Sequence, residues 1–135
     1  DLTLGLSERF RTNKAKTDGS IVRLRNSFRQ YRRMFDQSGL DMILTPTTAH
    51  VPPAIGYLSM TLPYETLFER IQKWACFTPY HNATGGPSIS LPVQHYLDDD
   101  LPMGMLLSAN LGQEAMLLDI AYQLEAAQPW KKITD

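Results

Sequence analysis

The chain is poor in the features that usually settle a protein's class at once. One of its 135 residues is cysteine, Cys76, so it has no intrachain disulfide and nothing argues for a secreted, disulfide-stapled module. A reducing cytoplasm is the expected setting. No apolar run approaches the roughly 18–20 residues that cross a bilayer. The opening DLTLGLSERF lacks the apolar stretch and cleavage motif of a leader. Membrane is therefore not an expected partner. Net charge is nearly absent too, with 13 basic residues against 14 acidic ones, and no whole-chain field advertises nucleic acid. The first residue is Asp1 rather than Met, which reads as a cut in a longer chain.

What remains is an ordinary globular composition of single-domain size, with its charge unevenly spread. Residues 1–35 hold nine basic and three acidic side chains, and residues 36–135 hold four and eleven, a local +6 against a local −7. That asymmetry suits a surface that meets something else.

Residues 1–19 mix Arg, Lys, Thr, Asn and Gly with few large apolar groups, and a mobile arm or linker is expected there, ahead of a folded part over 20–135. From Ser20 the apolar residues Ile21, Leu24, Phe28, Tyr31 and Phe35 recur at intervals of three and four, lining one face of a helix. Asp18 or Ser20 is placed to cap it and Gly39 to end it. Arg23, Arg25, Arg29, Arg32 and Arg33 could be read as a phosphate site, but a solvated or inter-domain helix face is the preferred reading.

Asp41 to Thr45 reads as a short buried strand closed by Pro46. Pro46, Pro52, Pro53 and Gly56 then mark an irregular excursion over 46–62. Pro63 opens a second helix with an inner stripe of Leu67, Ile71, Trp74 and Cys76 or Phe77, broken by Pro79. Ser88 to Val93 and Met103 to Ala109 read as an antiparallel pair around an acidic turn over 97–102. A last helix begins near Gly112 with Leu117, Ile120, Ala121 and Leu124 inside, and Asn110 with Gln113 is placed like a capping pair.

No nucleophile stands beside a base in a recognisable frame. Gly85-Gly86-Pro87-Ser88 looks like a serine-exposing turn, yet Pro87 has no N–H for an oxyanion and Ser88-Ile89-Ser90-Leu91 alternates like a strand, so a turn leading into the sheet is preferred. His50, His81 and His95 are too far apart for a helical metal pair, and Asp98, Asp99 and Asp100 lack the interleaved ligands of a calcium loop. No metal or cofactor is expected. Cys76, on an apolar stripe beside Trp74 and Phe77, is expected to be a buried, inert thiol.

Three blocks of sequence carry a resemblance. Leu40-Asp41-Met42-Ile43-Leu44-Thr45-Pro46-Thr47 follows the long helix. Phe77-Thr78-Pro79-Tyr80-His81-Asn82-Ala83-Thr84-Gly85-Gly86-Pro87-Ser88-Ile89-Ser90-Leu91-Pro92 comes next. Leu101-Pro102-Met103-Gly104-Met105, Gly112-Gln113-Glu114 and Pro129-Trp130 close the series. In this order, over roughly residues 20–130, the chain resembles the C-terminal region of the amidase signature family. The resemblance implies an α/β fold, a mixed β-sheet flanked by helices, of which this chain is a C-terminal fragment. It also implies amide cleavage by a Ser-Ser-Lys triad in an N-terminal half absent from these residues.

No residue of this chain matches that triad, so the resemblance assigns no catalytic residue and implies that the chain alone is inert. What carries over is a wall of the substrate pocket: Thr45, Pro46, Ala75, Cys76, Phe77 and Asn82. Relatives that take charged amino-acid substrates have an acidic residue shortly before the Phe-Thr pair. Here Trp74, Ala75 and Cys76 occupy that stretch, which implies a small neutral or apolar amide. Asn82 is expected to fix backbone rather than catalyse. The implied partners are the missing N-terminal half and, through apolar surface left open, a second copy in a homo-oligomer. The competing reading is a non-catalytic binding or assembly module that holds a partner through its basic N-terminal helix.

Overall fold

The computed structural model describes residues 2–95 and 101–130. Their order is α1 Leu2–Thr12, α2 Lys14–Ser38, β1 Met42–Pro46, α3 Tyr64–Trp74, α4 Thr78–Thr84, β2 Ser88–His95, β3 Pro102–Ala109 and α5 Glu114–Ala127. The acidic turn, with Asp98, Asp99 and Asp100, lies mostly outside the described residues. None of the described helices is long and apolar enough to cross a membrane.

The first correction concerns the expected mobile arm or linker over 1–19, of which the described residues, from Leu2 on, are almost wholly helical. Local propensity is a weak prior that tertiary contact overrides. Gly5 of α1 lies so close to the Tyr64 ring of α3 that a Cβ would overlap it, and the Arg9 guanidinium sits 4.7 Å over the Phe68 ring. Asn13 separates the two helices. Its side-chain Nδ2 donates to the Arg9 carbonyl at 3.0 Å, and its φ of −114° leaves helical space. Asp18 and Ser20 accordingly fall inside α2 instead of capping it. The C-terminus is as expected: Gly39 turns left-handed (φ 67°) and its N–H reaches the Phe35 carbonyl at 3.3 Å.

The strands form a three-stranded sheet in the order β1-β3-β2, and both pairings are antiparallel. Alternation along the strands gives it two unlike faces. One carries Leu91, Leu107 and Ala109, which pack with Leu117 of α5 into the main core, with Met42, Ile89 and Ile120 around them. The other carries Ile43 and Thr45 of β1 opposite Ser108 and Leu106 of β3, and is covered by α2 and α4. Helices thus flank the sheet on both sides.

Pro92 has no N–H for the ladder, and the register slips there: Leu91 faces Met105 but Gln94 faces Met103, one extra residue on β2. Opposite this bulge, Gly104 leaves room for Thr47 and Ser90, whose hydroxyls meet at 2.6 Å. A Cβ on Gly104 would stand 2.6 Å from the Thr47 oxygen and 2.8 Å from that of Ser90.

The expected second helix is two. α3 ends at Trp74, where Ala75 departs from helical geometry (φ −103°, ψ 44°), and Pro79 opens α4 rather than closing α3. Proline fits a helix's first turn, where its missing N–H leaves no bond unmade. α4 stops at Gly85, which is left-handed with φ 72°. The irregular excursion before α3 is present as expected. Arg70 holds it, donating to the Tyr57 carbonyl at 2.8 Å with its guanidinium 4.5 Å over the Tyr57 ring. At the far end, Asn110 does not cap α5: its Nδ2 donates to Asp36 at 3.0 Å and its Oδ1 accepts the Leu111 N–H.

Two glycines should respond to alanine in opposite directions. A Cβ on buried Gly86 would overlap the Tyr31 ring, so Gly86→Ala should destabilise by about 1–3 kcal/mol. Gly19, inside α2 with Arg23 Nη1 its nearest neighbour at 3.9 Å, should gain about 0.5–1 kcal/mol on mutation to Ala. Urea denaturation of the two variants reads both signs, and equal signs would contradict this packing.

Candidate functional site

Two hydroxyls and a ring build the site's frame. Ser27 Oγ donates to the Ala83 carbonyl at 2.9 Å and pins α2 to α4. The Thr84 hydroxyl, buried, donates to the Tyr80 carbonyl at 2.9 Å and fixes the end of α4 before the glycine turn. Tyr31, fully buried at 0 % exposure, crosses from α2 to the sheet and donates its O–H to the Ala109 carbonyl at 2.7 Å. Burial, with a smaller contribution from Tyr80, pushes its phenol up to about 12. It is therefore a permanent donor.

Between these elements lies a cavity of about 340 Å³. β1 supplies Ile43 and Thr45, β3 supplies Ser108, α2 supplies Tyr31, α4 supplies Tyr80 and His81, and the link between α3 and α4 supplies Cys76 and Phe77. No lining residue is an acid, lysine or arginine. Ser108 Oγ and His81 Nε2 are 3.0 Å apart, and burial lowers the imidazole pKa from its ordinary 6.5, so a neutral ring faces the serine at neutral pH. His81 Nδ1 and Thr45 Oγ1 are buried without a hydrogen-bond partner among the described residues.

This pair is not a hydrolytic dyad in waiting. Ser108 is 2 % exposed, and no carboxylate orients the free imidazole nitrogen as a triad would require. Nor do any three His, Cys, Asp or Glu side chains gather to hold a metal among the described residues. A larger hollow of about 550 Å³ opens between α5 and β1, but it is lined by aliphatic groups alone, Leu44, Val93, Met105 and Leu124 among them.

Of the six wall residues named from sequence, Thr45, Cys76 and Phe77 line the 340 Å³ cavity together, while Pro46, Ala75 and Asn82 do not. Asn82 is exposed on α4, and its side chain makes no hydrogen bond to a described residue, against its expected backbone-fixing role. The burial of Cys76 is a second correction, since its side chain is exposed. The helical stripe that was to bury it stops at Trp74, and beyond Ala75 the chain no longer carries residues to that face. Sequence reasoning missed Ser108 and His81. The signal was there for Ser108, a polar residue at an inward position of an otherwise apolar strand; α4, which delivers His81, was read as a break.

With this geometry in place, comparison with known proteins is decisive on kinship. A family model described as Amidase matches residues 6–118. The chain belongs to the amidase family. It is 44 % identical over 133 residues to the protein named "Putative amidase AmiC" of Mycobacterium tuberculosis, covering 98 % of this chain and 27 % of that relative. A solved structure of 6-aminohexanoate cyclic dimer hydrolase complexed with substrate superposes with a TM-score of 0.69 at 33 % identity, over 79 % of this chain and 23 % of the other. A glutamyl-tRNA(Gln) amidotransferase chain of Thermotoga maritima shares the fold, with a TM-score of 0.66 at 24 % identity, over 96 % of this chain and 26 % of that one. The chain thus spans about a quarter of the length of the amidases it matches.

The half-buried imidazole gives this amidase segment a pH signature. With the folded pKa below 6.5, the unfolded chain binds the extra proton first. His81 therefore contributes stability that is complete above pH 6.5 and is lost as the pH falls through the folded value. Stability measured by urea melts should fall below pH 6.5 by at most about 1.4 kcal/mol per pH unit from this residue. In His81→Gln that component of the slope should vanish. An identical slope in both proteins would remove His81 as its origin.

Proposed function

We propose that the chain is the C-terminal, pocket-shaping portion of an amidase that hydrolyses the C–N bond of small neutral or apolar non-peptide amides. The observation that carries this reading is the uncharged cavity formed by Thr45, Cys76, Phe77, His81 and Ser108. A charged substrate group there would meet aromatic, aliphatic and neutral polar walls with no counter-ion, and would lose its hydration without compensation. An amide has one acceptor and at most two donors to satisfy and leaves the rest of its surface to apolar contact, which this lining suits. The kinship with a cyclic dimer hydrolase points the same way, to an uncharged amide.

In this reading the attacking serine, its bridging serine and the lysine lie in an N-terminal half outside these residues, and that half is the principal partner. The segment contributes shape rather than chemistry. No cofactor enters the reaction so conceived, and the free thiol fits a reducing cytoplasm.

Purified chain should hydrolyse aryl and short aliphatic amides only at the uncatalysed rate, because it has no activated nucleophile. Turnover that survives repurification and disappears in Ser88→Ala or Ser90→Ala would refute the inactivity. The pocket itself is tested through Cys76, an exposed thiol at the cavity wall. A neutral aryl amide such as benzamide should slow its alkylation by a maleimide, while benzoate and benzylamine should not. Equal protection by all three, or by none, would rule out a neutral-selective wall.

A further inference from the structure

The apolar stripe of α2 is buried only at its C-terminal end, by Tyr31 and Phe35. Upstream, Ile21, Leu24 and Phe28 are 42 %, 55 % and 49 % exposed. Ile21 and Leu24, together with Leu6 and Phe10 of α1, border an open groove of about 490 Å³. Arg9 and Lys16 line it, and the longer of its two helices is strongly basic. α2 carries seven Lys or Arg against Asp18 and Asp36, a net +5, and Arg32 with Asp36 is its one ion pair among the described residues. On the opposite side of the sheet, α5 has the complementary character. It carries Glu114, Asp119 and Glu125 with no basic residue, and its outward stripe bears Leu118 and Tyr122, 53 % and 71 % exposed.

We propose that α5 of a second copy of this chain docks on the α1–α2 face. The apolar residues at the groove and on α5 meet at the centre, and Arg25 and Arg29 flank them to face Glu114 and Asp119 of the other copy. Because the two faces lie on opposite sides of the sheet, they cannot satisfy each other within one molecule. Association joins unlike patches, either as a reciprocal dimer or as a head-to-tail series. This inference goes beyond the amidase reading and does not depend on it.

A charge exchange tests it. Sedimentation velocity of the wild-type chain at micromolar concentration should show a dimer or larger species in low salt, and the mass should fall as salt screens the contact. Arg25→Glu with Arg29→Glu lowers α2 from +5 to +1 and sets acid against the acidic pair of α5, and Glu114→Lys with Asp119→Lys turns α5 from −3 to +1 and sets base against base. Each double variant alone should bind itself about tenfold or more weakly. An equimolar mixture of the two should regain the wild-type mass, since each acidic pair at the contact then meets a basic pair, and that recovery also shows both variants to be folded. A monomeric wild type would overturn the proposal. So would a mixture no heavier than its components, and either result would leave the α1–α2 face to solvent or to the remainder of a longer parent chain.

Discussion

The hydrogen bond from Tyr31 to the Ala109 carbonyl holds the two faces of this molecule in register. It links residues 78 positions apart, joining α2 to the end of the central strand. The same ring packs against Phe35 at 5.2 Å, Tyr80 at 5.6 Å and His81 at 6.2 Å. It needs a glycine at position 86 to fit at all. Because burial keeps the phenol protonated far above physiological pH, the bond is insensitive to conditions that would titrate the neighbouring imidazole. Tyr31 lines the cavity itself and packs against two more of its walls, Tyr80 and His81.

Away from that crossing the molecule is less tightly built. Burying a large apolar side chain is worth about 1.5–3 kcal/mol, so α2 is stabilised by its Tyr31 and Phe35 end, while the turns bearing Ile21, Leu24 and Phe28 contribute little to the fold in isolation. The sheet has two outer strands whose far ladder sides are unpaired among the described residues. Each carries a proline, Pro46 or Pro92, which removes a donor from the strand and discourages indiscriminate pairing. Both features are consistent with a segment that spans about a quarter of its relatives' length.

Much of this architecture was legible in the sequence. The long helix ending at Gly39, the strand closed by Pro46, the antiparallel pair and the last helix follow from periodicity and from glycine and proline, whose backbone constraints are local. What was not legible depended on contacts between distant residues. α1 has no clean stripe of its own and is held by Tyr64 and Phe68. Pro79 is equally compatible with a helix's end and with its beginning, and only the surrounding chain decides which. Misreading it put Cys76 on a buried stripe and hid the delivery of His81 to Ser108. The resemblance to amidases named Thr45, Cys76 and Phe77, which share the cavity, but short-range pattern could not separate them from Pro46, Ala75 and Asn82.

The hydroxyl bridge over Gly104 bears on how the sheet comes apart. Thr47 and Ser90 belong to the exit of β1 and to β2, strands that never touch as neighbours, and they meet only because the strand between them offers no side chain there. Thr47 also donates its N–H to the Gly104 carbonyl at 2.8 Å. At this end the hydroxyl pair links the two outer strands across the central one. The long loop after β1 therefore departs from a fixed anchor, and the opposite end, where Met42 faces Ala109, is held in turn by the Tyr31 hydroxyl on the Ala109 carbonyl, so the three-stranded part of the sheet is tied at both ends.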